Sequence, residues 1–360
     1  MDFRLSDEQQ MLKDSVERFV AGEAAFNHAR RSFDRAHWAK MAELGWLMLL
    51  IPEARGGLGA GLADAALLTE GLGRGLVNTP FVSSAVISTA LLAHADDGGA
   101  LLEAMAAGDA IVALATEESG SHYDLTRITA TAAKDDARYS LRGEKIVVPD
   151  GADASHFLVS ARLSGKLALL IVEATAPNLS VRRYRTLDHA SACDLHMFNT
   201  PAALVIADAE AALERAIDHA RILLAAEALG CMEAATALTA EYLKTRKQFG
   251  RTLSSFQTLT HRIADMFVRG EHLRSIILRA ISLGDAPVPH RAAAASAALL
   301  SAIDAGEFVC GQAIQLHGGI GMTEEYVIGH YYKRIRAIGR TYGDAEFHRG
   351  RHTALTQRSA

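Results

Sequence analysis

Between residues 209 and 245 the chain has no proline and a single glycine, Gly230. A stretch so long without a breaker has few ways to stop and reads as one continuous helix. Further helical runs follow at 254–283, 290–316 and 324–340. The first of these opens with Ser254 and Gln257, a Ser-x-x-Gln spacing that caps a helix reciprocally. Four long helices in succession predict an antiparallel bundle. The alanines of 292–298 are ordinary helix packing, and there is no internal repeat or low-complexity segment.

The beginning of the chain is helical too. Residues 6–20 start with a Ser6/Gln9 capping box and set Met11, Leu12, Val16, Phe19 and Val20 on one face. Residues 38–50 form another helical run, closed by Pro52. The glycine-rich stretch 56–73 that follows superficially resembles a phosphate loop. It has neither a preceding strand nor the GxGxxG spacing, so it reads as a loop opening a helix. Alanine-rich helical segments continue to about Gly108. The texture then changes. Short runs at 110–116, 128–132 (ITATA), 139–148, 156–163 and 167–174 alternate or are apolar throughout, and Asp-Asp, Asp-Gly and Ser-Gly pairs separate them. This predicts an antiparallel β domain ending near Val205. The expected fold is mainly α with a central β domain: an N-terminal helical domain over 1–108, a middle β domain over 109–206 and a C-terminal four-helix bundle over 207–360. That order argues against a Rossmann fold, in which strands and helices alternate throughout.

Bulk properties exclude several function classes. With 360 residues, 49% of them apolar, the chain can build two or three cores. A net charge of −5 without a basic patch argues against nucleic acid. Cys193, Cys231 and Cys310 are odd in number and widely spaced, which gives no metal spacing or disulfide framework and suits a reducing cytoplasm. The 15 histidines form no HExxH pair, so no metal is expected. The N-terminus has no basic segment followed by an apolar run, and no stretch of about 18 uncharged apolar residues predicts a membrane span.

Five segments, in order, resemble the acyl-CoA dehydrogenase family over nearly the whole chain. They are WAKMAELGWLMLLIPEARGGLG, ALATEESGS, ITATA with YSLRGEKIVVPDGADASHFLV, RKQFGRTLSSFQTLTHRIADM, and QLHGGIGMTEEY. The last two are the most specific. The resemblance implies an FAD enzyme that removes an α proton from an acyl-CoA thioester while the β hydrogen leaves as hydride to flavin N5. Electrons would then pass to an electron-transfer flavoprotein.

The resemblance also assigns residues. Arg246 and Phe249 would meet the adenosine-diphosphate half of FAD, with Gln257 as a further contact. An arginine fork suits a pyrophosphate, Phe249 offers an apolar surface, and Gly250 is expected to end the helix. Gln315, Gly318 and Gly319 would lie against the FAD of a neighbouring subunit, where adjacent glycines allow close approach. Leu114 and Thr116 would bond the flavin ring, and Ser121 and Arg221 would face the substrate. Three positions depart from the family. Glu118 stands where it usually has proline, Val147 where many members have a flavin-packing tryptophan, and Pro149 where they have threonine. Valine has no ring and proline no N–H, so a stacking contact and a hydrogen bond are lost.

The catalytic carboxylate departs most. The family's Tyr-Glu-Gly-Thr pattern corresponds to RTYGDAEFH. An ungapped register from Gly319 aligns Gly343 with the motif glycine and puts Tyr342 at the glutamate. A tyrosine, with an unperturbed pKa of about 10, is a poor base for this task. The other family position for the glutamate maps to Ala220, beside Arg221. Asp344 is the nearest acid and the candidate base, with Glu346 and Asp218 as weaker ones. SGSHYDLTRIT and TYGDAEFH resemble small subunits of two-component enzymes such as the pimeloyl-CoA type. Three readings follow: a dehydrogenase using Asp344, a base-less partner subunit in a heteromer, or an oxidase or monooxygenase on the same fold. A homotetramer or an α2β2 heterotetramer is expected, acting on a medium-chain, dicarboxylic or steroid-derived acyl-CoA.

Overall fold

The computed structural model describes residues 4–26, 32–93, 95, 98–135 and 138–357. They form two compact units. One combines the described residues up to 26 with 63–77 and those from 221 onward; the other holds those of 32–62 and 78–220.

The first unit contains α1 (Asp7–Ala21), α3 (Leu62–Arg74) from Ala63 on, α6 (Glu210–Thr245) from Arg221 on, α7 (Gln257–Ser282), α8 (His290–His317), α9 (Ile328–Ile338) and α10 (Ala345–Gln357). The expected capping box opens α1: the Gln9 N–H donates to Ser6 Oγ at 3.2 Å, and the Ser6 N–H to Gln9 Oε1 at 3.2 Å. Val16 and Phe19 are buried, but Met11 is 70% exposed and does not share their face. Helices α3 and α6 touch backbone to backbone at glycines. A Cβ on Gly230 would lie 1.9 Å from the Glu70 carbonyl oxygen, and one on Gly73 would lie 2.2 Å from that of Glu227.

The predicted box at Ser254 does not form. A 3-10 turn over Leu253–Ser255 intervenes, α7 starts after Phe256, and the Ser254 hydroxyl bonds Thr252 Oγ1 at 3.1 Å instead. Helix α9 begins at Ile328 and not at 324, because 324–327 form turns after the 3-10 segment Gly318–Met322 and an extended Thr323. Helix α10 adds to the four predicted bundle helices. Two helical stretches, Glu210–Thr245 and His290–Met322, are long and apolar enough to cross a membrane, contrary to expectation. Their most apolar windows are 72% and 56% buried within the protein, as in core helices of a bundle.

The second unit starts with α2 (Arg35–Glu43), shorter than the predicted run 38–50. Gly45, at φ 76°, breaks it, and the chain resumes as a 3-10 turn at Trp46–Met48. A π-helical segment (Phe81–Ser88) runs into α4 (Thr89–Leu92), and α5 (Gly99–Ala106) follows. The sheet has strands β1 (Val112–Ala115), β2 (Thr131–Asp135), β3 (Arg138–Pro149), β4 (His156–Leu163), β5 (Lys166–Glu173), β6 (Leu179–Arg185) and β7 (Ser191–Ile206). Their order is β1-β4-β2-β3-β7-β5, with β6 on β7 and β4 also joined to β5. Most pairs are antiparallel as predicted; β4 pairs in parallel with β1 and β2. ITATA contributes only its end to β2, because the Thr129 and Ala130 N–H groups donate to Glu118 rather than to a ladder. The expected Asp-Asp turn at 135–136 falls partly outside the described residues.

Candidate active site

The named residues fall into three groups. In the β unit, β1 carries Leu114, buried and in register with Leu158. Thr116 follows and opens the loop to Ser121. Beneath this loop the Lys145 ammonium, on β3, is fully buried. It donates to the Thr116 carbonyl at 3.2 Å, Ser160 Oγ at 2.9 Å and Glu118 Oε1 at 2.7 Å. Burial pushes Lys145 down to about 8, with the Glu118 pair resisting. Burial also works to raise Glu118, but the Lys145 charge and the hydrogen bonds from Lys145 and Thr129 outweigh it and hold the carboxyl below its ordinary value. The Ser121 hydroxyl is committed within the loop, donating to Glu117 Oε2 at 2.9 Å and accepting the Glu118 N–H at 3.1 Å.

A bulge between Lys145 and Val148 turns Val147 outward. It is 50% exposed at φ 47°, and its N–H donates to Asp194 Oδ1 at 2.9 Å. Pro149 is the last residue of β3, opposite Ala192. Sequence reasoning passed over Lys145 and Asp194. The available signal was strand alternation, which sets Lys145 on the same face of β3 as the buried Leu141.

At one end of the bundle, α6 stops at Thr245 and Arg246 projects beyond it, exposed. Lys247–Gln248 and Arg251–Thr252 then pair as a hairpin across Phe249 and Gly250, both at positive φ (52° and 77°). Two consecutive positive-φ residues mark a type I′ turn. Gly250 is therefore a hairpin residue, not the predicted helix end. The Phe249 ring is 89% exposed, and Gln257 starts α7 at the surface. Gln315, Gly318 and Gly319 are exposed at the end of α8. Gly318 needs its φ of 64°; at Gly319 neither φ nor packing requires glycine, since an added Cβ meets nothing within 4 Å.

An aromatic stack joins these two segments. Tyr242 lies over the His317 ring at 4.4 Å, and Tyr326 approaches it from 5.0 Å. His317 Nδ1 is 2.8 Å from the Ala313 carbonyl, so that nitrogen carries the hydrogen. Burial pushes this histidine below its usual range. His317 was not singled out from the sequence.

The remaining named residues lie on α6 and around the start of α10. Arg221 is buried, and its Nε donates to the Tyr342 carbonyl at 2.9 Å; its guanidinium carbon lies 5.3 Å from the Phe347 ring. Tyr342 is itself buried, at φ 58°. Gly343 has φ 132°, and a Cβ there would be 2.4 Å from His348 Nε2. Asp344 caps α10. Its Oδ1 accepts the Phe347 N–H at 2.9 Å, and its Oδ2 accepts from Arg340 at 3.1 Å. Glu346 is exposed in the first turn of α10; Asp218 and Ala220 are buried on α6. A separate cavity of about 630 Å³ lies among α1, α3, α6 and α7, against Glu70, Arg74, Glu233 and Arg274; none of the named residues lines it.

Comparison with known proteins extends these observations. Residues 6–109, 113–200 and 209–354 match the acyl-CoA dehydrogenase N-terminal, middle and C-terminal domains respectively. The chain is 33% identical, over 91% of both chains, to acyl-CoA dehydrogenase IpdE2 of Mycobacterium tuberculosis. Among solved structures it resembles a Tcur3481-Tcur3483 steroid ACAD variant, with 31% identity, a TM-score of 0.89 and 98% of each chain covered. It also resembles the ChsE4-ChsE5 complex of Mycobacterium tuberculosis, with 25% identity, a TM-score of 0.88, and 100% of this chain and 99% of that one covered. With all three domain matches in order and a relative one-third identical along nearly its whole length, the chain belongs to the acyl-CoA dehydrogenase family of flavoprotein oxidoreductases.

Proposed function

We propose that the chain binds FAD and serves the α,β-dehydrogenation of an acyl-CoA thioester to the trans-2-enoyl-CoA as one subunit of an α2β2 heteromer. In this reading the partner supplies the carboxylate base, and electrons leave to an electron-transfer flavoprotein. The observation that carries it is the state of Asp344. Each carboxylate oxygen accepts one hydrogen bond, one from the start of α10 and one from Arg340. These bonds tie the side chain to the start of its own helix, so turning it away toward an α proton would break the cap, and a general base must come within hydrogen-bond distance of the proton it takes.

Bound FAD would supply the hydride acceptor. The outward guanidinium of Arg246 and the open face of Phe249 fit its phosphates and adenosine half, and the open space at Gly319 fits close approach from a neighbouring subunit. Leu114 and Thr116 would flank the ring. Val147 and Pro149 would leave one ring face without an aromatic partner. Arg221 would order the Tyr342 turn on the substrate side. The solved steroid ACAD supports a steroid-derived acyl group, and the ChsE4-ChsE5 complex supports a pair of unlike subunits. Three buried, unbridged cysteines fit a cytoplasmic setting.

The test is the absorbance of the purified chain, anaerobically, before and after a panel of acyl-CoA thioesters. A flavin spectrum that no thioester bleaches, in wild type and Asp344→Asn alike, is the expected result. Bleaching of the wild type that Asp344→Asn abolishes would make Asp344 the base and the chain self-sufficient. Bleaching followed by rapid reoxidation in air would point to an oxidase.

A further inference from the structure

Lys145 and Glu118 satisfy one another and their surroundings completely. The ammonium has three N–H donors and spends one each on Thr116, Glu118 and Ser160, at 3.2, 2.7 and 2.9 Å. The carboxylate accepts four bonds: from Lys145 and the Ala130 N–H (3.1 Å) at Oε1, and from the Thr129 N–H (2.7 Å) and hydroxyl (2.5 Å) at Oε2. These bonds join the end of β1, the loop, the residues before β2, and strands β3 and β4. The following residue adds another tie, as the Ile146 N–H donates to the Glu117 carbonyl at 2.9 Å. Val147 comes next, anchored through Asp194.

Stability alone is a weak reason for such a pair. Replacing a buried ion pair with apolar side chains of similar volume is often neutral or favourable, whereas removing one partner is costly. An apolar pair would fill the same space but offer no donor to the Thr116 carbonyl and no acceptor to Thr129 and Ala130. The ion pair therefore contributes geometry. Glu118 stands where the family usually has proline, so here a hydrogen-bonded side chain holds the loop that a ring otherwise stiffens.

We infer that Lys145 and Glu118 are positioning residues that lock the Thr116–Ser121 loop onto β3, so that Thr116 and Val147 form one rigid edge for the flavin ring. What that edge meets rests on the proposed FAD binding; the lock itself does not.

The test compares the full-length wild type with the double variant Lys145→Met/Glu118→Leu, by amide hydrogen exchange and FAD titration. The double variant is expected to keep its circular dichroism, to exchange at least tenfold faster across 117–130 with α6 unchanged, and to bind FAD at least tenfold more weakly with a shifted flavin band. A folded double variant with unchanged exchange across 117–130 overturns the lock. Faster exchange with unaltered FAD affinity and spectrum overturns the positioning role. A wild type that takes up no FAD, with the exchange difference intact, overturns the FAD reading and leaves the lock standing. Should the double variant not fold, Thr129→Val keeps the ion pair and removes one of the four bonds to Glu118; it should speed exchange across 117–130 by a smaller factor, and unchanged exchange overturns the lock.

Discussion

Replacing Gly230 with alanine tests the contact between α3 and α6. An alanine Cβ would sit 1.9 Å from the Glu70 carbonyl oxygen and 2.8 Å from the Arg74 nitrogen. Ordinary contact begins at 3.4 Å, so the two backbones must part locally by about 1.5 Å, the difference between 3.4 and 1.9. Both obstacles are backbone, and no side chain can swing away. Overpacking in a well-filled core costs about 1–3 kcal/mol, and the upper end applies where only backbone can yield. Against this, alanine gains about 1 kcal/mol of helix propensity over glycine. The net loss is about 2 kcal/mol, or roughly 4–8 °C in Tm for a unit of this size. Melting should be followed by circular dichroism and by tryptophan fluorescence, because a free energy is defined only where the two transitions coincide. Gly311→Ala is the control. It lies within α8 with its nearest neighbour, Tyr332 Cε2, at 4.0 Å, and should gain up to about 1 kcal/mol. The reasoning fails if Gly230→Ala melts at or above the wild type, or if the two variants behave alike.

Other expectations follow from single sites. Phe249→Ala should change stability by no more than about 0.5 kcal/mol, since the ring is 89% exposed, yet weaken FAD binding at least tenfold in a fluorescence titration; equal affinity removes Phe249 from the site. Asp344→Ala should lower urea stability by about 1 kcal/mol through loss of the α10 cap, while Asp344→Asn keeps most of it; equal losses would shift the role to the Arg340 pair. Burial holds Lys145 at about 8 in the folded chain against its ordinary 10.5. Between those values the unfolded chain binds the proton that the native one has released, so this residue makes stability rise with pH by about 1.4 kcal/mol per unit. Urea midpoints from pH 8 to 10, wild type minus Lys145→Met/Glu118→Leu, should show that rise. A flat or falling difference counts against it.

The features legible in the sequence were local ones. The Ser6/Gln9 box, the unbroken α6 and the β4 and β5 runs all depend on residues within a turn or a strand of one another. The same reasoning failed at Ser254, where an intervening 3-10 turn moved the helix start, and at ITATA, where a side chain from another segment took the backbone donors. Motif alignment brought Asp344 forward as an acid near the expected base. In the structure the same aspartate caps α10, a role that the alignment did not foresee.

Periodicity, turn residues and motif identity are written along the chain, and they carry the order of helical and β segments, the family resemblance and the expectation that the usual glutamate is replaced. Tertiary structure alone decided which distant groups meet. Arg221 reaches the carbonyl of Tyr342, Gly230 admits the backbone of Glu70, and the Lys145 side chain turns inward to Glu118 while the bulge turns Val147 out. No pattern in sequence specifies these meetings. Each depends on how packed elements bring together groups that are far apart along the chain, and on the cost of leaving a buried charge or carbonyl without its partner.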